Sequence, residues 1–241
     1  MIPLTRRAAI AAFVMAPTMA YAKPAPIGPR VQFWATASGG ETLDGPNGSG
    51  NPFATALIET MANPALDFTA ACVSIVQRTS ILSNGFQAVE TPGVERAPSW
   101  RFTPAGRERR RALILINSDY SASDAAPSLP GAATDGVRVA QAFAAAGFET
   151  ELVHNPTRAT LPAALAQFAR RSARADVAAI YATGHGVESG GVQYVLYSDH
   201  VVADRDAGLA RAARWEDIVV NAKARRLNLT IWAGCRNNPF A

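Results

Sequence analysis

Two short apolar runs, Ala112 to Ile116 and Val177 to Tyr181, constrain what this chain can fold into more than any other feature. Nearly every residue in them is aliphatic or aromatic, without the apolar–polar alternation of a strand that has one wet face. Such runs belong to parallel strands covered on both faces. Leu227 to Trp232 and Val31 to Ala35 are lesser versions of the same pattern. Helical patterns fall between them. Thr134 to Ala146 stops at Gly147, Thr160 to Arg171 carries Thr160 as a cap, and Trp215, Ile218, Val219 and Ala222 form one apolar stripe. Strands alternating with helices of this length predict an α/β sheet joined by right-handed crossovers.

A chain of 241 residues, 49% hydrophobic and 17% charged, can bury one full core and most simply makes one domain. The formal charge of +4 falls by two if Arg6 and Arg7 are removed, and the dense basic cluster Arg107 to Arg111 lies in a connection. No nucleic-acid partner is therefore expected. Arg6 and Arg7 precede an apolar run from Ala8 to Met15, followed by the A-x-A site Ala20-Tyr21-Ala22. This is the layout of a secretory signal peptide, residues 1–22, too short to span a bilayer. Cleavage after Ala22 starts the mature chain at Lys23, with 23–30 as a linker. Thr5 to Arg7 also resembles a twin-arginine signal, so Sec and Tat export both fit, and the expected location is periplasmic or secreted. No membrane span is expected in the mature chain.

The candidate chemistry sits near the end of the sequence. Cys235 lies in I-W-A-G-C-R-N-N-P-F-A, and His185 lies in Y-A-T-G-H-G about 50 residues upstream. A free thiol titrates near ~8.5, so a nearby imidazole is needed to take its proton and later to protonate a leaving amine. A lone histidine is often a satisfied core residue, but G-H-G at the end of an apolar strand favours the base. His154 and His200 lack that setting. Cys72 is the other cysteine, and an exported chain could pair the two. Its helical stripe with Phe68, Ile75 and Val76 favours core filling instead.

From Arg111 to Phe240 the chain resembles the larger portion of bacterial caspase-like peptidases and metacaspases. The pieces are R-A-L-I-L-I-N-S-D-Y, L-P-G-A-A-T-D, A-G-F-E-T-E-L, Y-A-T-G-H-G and G-C-R-N-N-P-F, in order. Val31 to Phe102 resembles the smaller, C-terminal portion of that family, through F-W-A-T-A-S-G-G, N-P-F-A-T-A-L opening a helix, a second helix, and P-S-W-R-F as closing strand. The order of the portions is swapped, so the resemblance implies a circularly permuted caspase-like three-layer sandwich. Its sheet would have six mostly parallel strands ordered 2-1-3-4-5-6, the last antiparallel, with helices on both faces. Residues 31–102 would be the small portion, 103–110 the permutation linker and 111–241 the large portion, all in one domain. The ends to be joined are four strand positions apart, ~19 Å. Thr103 to Arg110 can span about 26 Å when extended. The opened bond falls in the linker that many caspases cut during maturation, so no activating cleavage is expected.

The resemblance implies a cysteine endopeptidase with a Cys235–His185 dyad and an oxyanion hole of the Gly186 and Cys235 backbone N–H groups. An aspartate preference is not expected, because Leu129 occupies a position where caspases carry a specificity arginine. Asp135 matches one of two acidic residues that metacaspases use to bind Arg or Lys. The second should stand two residues before the cysteine, where this chain has Ala233, so basic specificity is only a lean. Thr183 matches a small polar pocket residue, and Trp100 is expected to line the cleft. The expected partner is a peptide or protein substrate. No cofactor or metal site is expected; metacaspases often respond to calcium, but no compact run of ligands is present. The alternative is an idle caspase-like fold that binds proteins.

Overall fold

The computed structural model describes residues 27–45, 50–104, 106–123, 126–200 and 209–238. The expected signal peptide and the first half of the linker after it, residues 23–26, lie outside these residues. In chain order the strands are β1 (Arg30–Trp34), β2 (Arg110–Ile116), β3 (Phe148–His154), β4 (Val177–Thr183), β5 (Gly186–Ser189), β6 (Val192–Val195), β7 (Ala213–Arg214) and β8 (Leu227–Trp232). The helices are α1 (Pro52–Met61), α2 (Phe68–Leu82), α3 (Pro130–Ala145), α4 (Leu161–Ser172) and α5 (Trp215–Val219).

The main sheet has the order β1-β8-β4-β2-β3, and every neighbouring pair in it is parallel. All residues of β4 and β8 are buried; the polar residues inside β8 are hydrogen-bonded, Asn228 to Ala224 and Thr230 to the Val31 carbonyl. One face packs Val31, Phe33, Ile114, Tyr181, Leu229 and Ile231 against α1, α2 and α3. The other packs Leu113, Leu115, Ile180 and Trp232 against Leu165 and Phe168 of α4 and Trp215 and Ile218 of α5. The result is a helix–sheet–helix sandwich, with each large buried side chain contributing on the order of 1.5–3 kcal/mol. A small antiparallel sheet, β5-β6-β7, follows His185 and turns at Gly190 and Gly191, both at positive φ.

The sandwich agrees with the expected fold class, but the sheet has five strands where six were expected. P-S-W-R-F forms no strand. The Trp100 carbonyl accepts from the Phe68 N–H, and Trp100 and Phe102 turn into a cluster with Phe68 and Phe148. The antiparallel position beside β1 is taken by Glu90, which exchanges both backbone hydrogen bonds with Trp34, and by Pro92, whose carbonyl accepts from Gln32. Proline has no N–H to extend that ladder. Thr160 makes no side-chain cap for α4; its hydroxyl pairs with Thr157 instead. Asn51 caps α1 through the Phe53 N–H, and Asp67 caps α2 through the Ala70 N–H.

The N-terminal strand β1 thus lies against the last strand, β8, with Arg30 opposite Asn228 and Trp34 opposite Trp232. Arg110, at the start of β2, secures the chain between β1 and β2. Its guanidinium donates to Glu108 and to the carbonyls of Arg101, Phe102, Thr103 and Ala146, and it stacks 4.8 Å from the centre of the Trp100 ring.

Candidate active site

The site is built by two neighbouring strand ends. β4 and β8 pair in parallel from Val177 opposite Leu227 to Ala182 opposite Trp232, and the Ala233 N–H then donates to the Ala182 carbonyl at 2.9 Å. His185 and Cys235 each lie three residues beyond the last registered pair, Ala182 opposite Trp232, so their separation in sequence is the register offset of the two strands. Gly184 and Gly234 precede them. Gly184 has φ +142°, and a Cβ on Gly234 would run into the Gly184 carbonyl oxygen. Glycine is therefore required for the two ends to come together.

His185 is half-buried and held on three sides. Its N–H donates to the Tyr120 hydroxyl at 2.9 Å, and the two rings meet edge to face with centres 4.8 Å apart. Its Nε2 lies 2.8 Å from the Pro127 carbonyl oxygen. A carbonyl only accepts, so Nε2 carries the proton and Nδ1 keeps its lone pair. Burial lowers the imidazole pKa, against the opposing pull of the Pro127 carbonyl and the Asp44 charge. The Leu196 N–H donates to the His185 carbonyl, which makes these two a hydrogen-bonded pair of the β5–β6 hairpin. The next pair, Gly186 with Val195, is then of the non-hydrogen-bonded kind, and the Gly186 N–H points off the hairpin.

Cys235 is also half-buried. Its Sγ lies 3.4 Å from the Thr42 backbone nitrogen and 3.6 Å from the Thr42 hydroxyl. Its carbonyl accepts from Gln193 at 3.3 Å and from the Trp232 indole at 3.1 Å, which fixes the backbone at this residue. Among the described residues its own N–H has no hydrogen-bond acceptor, and no hydrogen bond joins Sγ to the His185 ring. The next residue, Arg236, pairs with Glu188 at 2.8 Å and Glu90 at 2.5 Å and covers the Trp34 ring at 4.2 Å. Both cysteines are free. Cys72 is buried in the core on α2, and burial pushes its thiol up to about 12, so it is inert at neutral pH.

The other expected site residues divide. Asp135 is buried in α3, accepts from the Asn51 N–H at 2.5 Å and from Arg138 at 3.4 Å, and is pushed up to about 6 by burial. Thr183 ends β4 and shares a sheet face with Tyr181, the face that α3 covers. Trp100 does not line the cleft. It sits with Phe148 and Arg110 at the opposite end of the sheet, where β2 and β3 begin, and its indole donates to Glu108. Ala233 packs in the core, and Leu129 occupies the position before α3. Four residues at the site were not anticipated: Thr42, Asp44, Tyr120 and Pro127. Tyr120 and Asp44 carried a signal, the first by closing the R-A-L-I-L-I-N-S-D-Y segment and the second through its D-G turn dipeptide. Among the described residues no group of three or more His, Cys, Asp or Glu side chains could hold a metal ion, and no helix is long and apolar enough to cross a membrane.

No curated protein matches the chain. The profile of the caspase domain matches residues 109–235, from the residue before β2 to the cysteine itself. That stretch covers more than half of the 241 residues and contains four of the five strands of the main sheet, so the chain belongs to the caspase-domain family of cysteine peptidases.

Proposed function

We propose that the chain is an exported cysteine endopeptidase that uses a Cys235–His185 dyad and leans to cleavage after a basic residue. The observation that carries this reading is the placement of His185 and Cys235 at equal distances beyond paired strands, with Nε2 held by Pro127 and Nδ1 left as the base. In the first step Nδ1 takes the thiol proton, and the sulfur attacks the carbonyl carbon of the scissile peptide bond. The carbonyl oxygen becomes an oxyanion, facing the N–H groups of Gly186 and Cys235. The C–N bond then breaks, the imidazolium gives its proton to the departing amine, and an acyl-thioester remains on Cys235. Water, deprotonated by the same imidazole, hydrolyses the thioester and restores the thiol. The Thr42 N–H donates to Sγ at 3.4 Å and holds the sulfur in place. These steps draw on side chains and backbone alone, with no resident cofactor.

The strand order supports the proposal that the domain is circularly permuted, since β1, the first strand in sequence, extends the sheet beyond the last. His185, Cys235 and Thr42 come together within one uncut chain, which supports activity without maturation cleavage. Export rests on the signal-like segment 1–22. A second reading, an idle fold that binds proteins, draws on Ala233 standing where an acid was expected and on Thr42 resting over the sulfur. A fluorogenic peptide panel varied at the residue before the scissile bond separates the two. Hydrolysis by the uncut chain and none by Cys235→Ala is expected; hydrolysis that survives the substitution, or none by the parent, overturns the peptidase reading.

A further inference from the structure

We infer that Asp44 supplies the second carboxylate of a pocket for a basic side chain, in place of the acid missing at Ala233. This rests on the peptidase reading above and assigns its substrate class through a residue outside the segment that carries the dyad. Asp44 lies two residues beyond Thr42, whose backbone N–H meets the sulfur of Cys235. Two extended residues cover at most about 7 Å, so Asp44 stays near the dyad, and its charge acts on His185. Just beyond it, Gly45 and Gly50 form an antiparallel bridge.

The two carboxylates are arranged reciprocally around that bridge. Asp44 leans onto α3, where its Oδ2 accepts from the Gly131 N–H at 3.3 Å, and a Cβ on Gly131 would collide with its carboxylate. Asp135, one turn further along α3, leans back onto the loop, where a Cβ on Gly50 would collide with its Oδ1. The glycines at 50 and 131 thus let each acid approach the other's backbone. Asp135 is 1% exposed and already holds Asn51 and Arg138, whereas Asp44 is exposed. The Asp44 charge reaches both His185 and Asp135. A guanidinium or ammonium entering from the Cys235 side meets Asp44 first, with the Asp135 carboxylate behind it. An acidic side chain in the same place faces two like charges, which excludes it.

The test uses Asp44→Asn, which keeps an oxygen for the Gly131 N–H and removes only the charge. Paired peptides carrying arginine or its neutral isostere citrulline before the scissile bond give a specificity ratio that loss of folded protein does not alter. The parent is expected to favour arginine, and Asp44→Asn to lower the arginine-to-citrulline ratio of kcat/KM at least tenfold. A ratio within twofold of the parent overturns the inference. If the parent hydrolyses neither peptide, the peptidase reading fails and binding decides this one. Calorimetry then compares Cys235→Ala with the double variant Cys235→Ala, Asp44→Asn. An arginyl preference of tenfold or more that disappears with Asp44 sustains the pocket, and equal affinity for the two peptides in both proteins refutes it.

Discussion

Replacing Gly184 by alanine should cost both stability and rate, by amounts the geometry sets. Gly184 holds φ +142°, a conformation that costs a side-chain-bearing residue about 1–3 kcal/mol. A Cβ there would lie 2.7 Å from both the Asn117 Cβ and the Tyr120 hydroxyl, and 2.9 Å from the Asn117 carbonyl oxygen. Carbon atoms rest at about 3.5–4.0 Å, so the neighbours must move by roughly 0.8 Å or more. The Tyr120 hydroxyl is also the acceptor for the His185 N–H, so its retreat carries the imidazole with it. Overpacking adds about 1–3 kcal/mol. A total of about 2–6 kcal/mol corresponds to a fall in Tm of roughly 4–24 °C for a domain of this size. A displacement near 1 Å at a catalytic group costs about 100-fold in rate. Calorimetric melting and kcat/KM on the best peptide of the panel measure the two effects separately, below the lowered Tm. Retention of kcat/KM within threefold would show that the strand ends do not position the base, and the reasoning would fail.

Two further perturbations test the supporting structure. Burial raises Asp135 to about 6 from near 3.8, so the folded protein keeps this proton between about pH 4 and 6 while the unfolded chain releases it. The native state therefore loses stability as pH rises through that window, and Asp135→Asn should gain about 2–3 kcal/mol at pH 7.5 and almost nothing at pH 3.5. Urea unfolding at both pH values checks this, and an equal change at the two would contradict it. Arg110→Met should cost about 3–5 kcal/mol, because it leaves Glu108 short of a partner and four backbone carbonyls without their donor. Arg110→Lys should not restore it, since a single ammonium cannot span those acceptors; a loss below 1 kcal/mol in urea titration would refute the role given to this side chain.

The parts legible in the sequence are those where one local cause dominates. The β2 and β4 runs are apolar because both faces are covered, and N-P-F-A-T-A-L opens α1 where Asn51 caps it. The spacing of His185 and Cys235 is legible because it equals a strand register. Trp100 misled because W-R-F has the aromatic character of a strand, while tertiary packing uses its rings to fill the end of the sheet and to receive Arg110. The strand-like edge at Glu90 was illegible because a single bridge, stopped by Pro92, leaves no periodic pattern. Thr42 and Pro127 act through a backbone N–H and a backbone carbonyl. Their side-chain types alone could not reveal these roles.

The measurement that bears most directly on the central claim is covalent labelling of the uncut chain with an arginyl peptide chloromethyl ketone, followed by intact mass and peptide mapping. The account predicts one adduct, at Cys235, formed at least about 100-fold more slowly in His185→Ala, where no base activates the sulfur. Labelling of Cys235 at the same rate with and without His185, or labelling at Cys72 in its place, would contradict it.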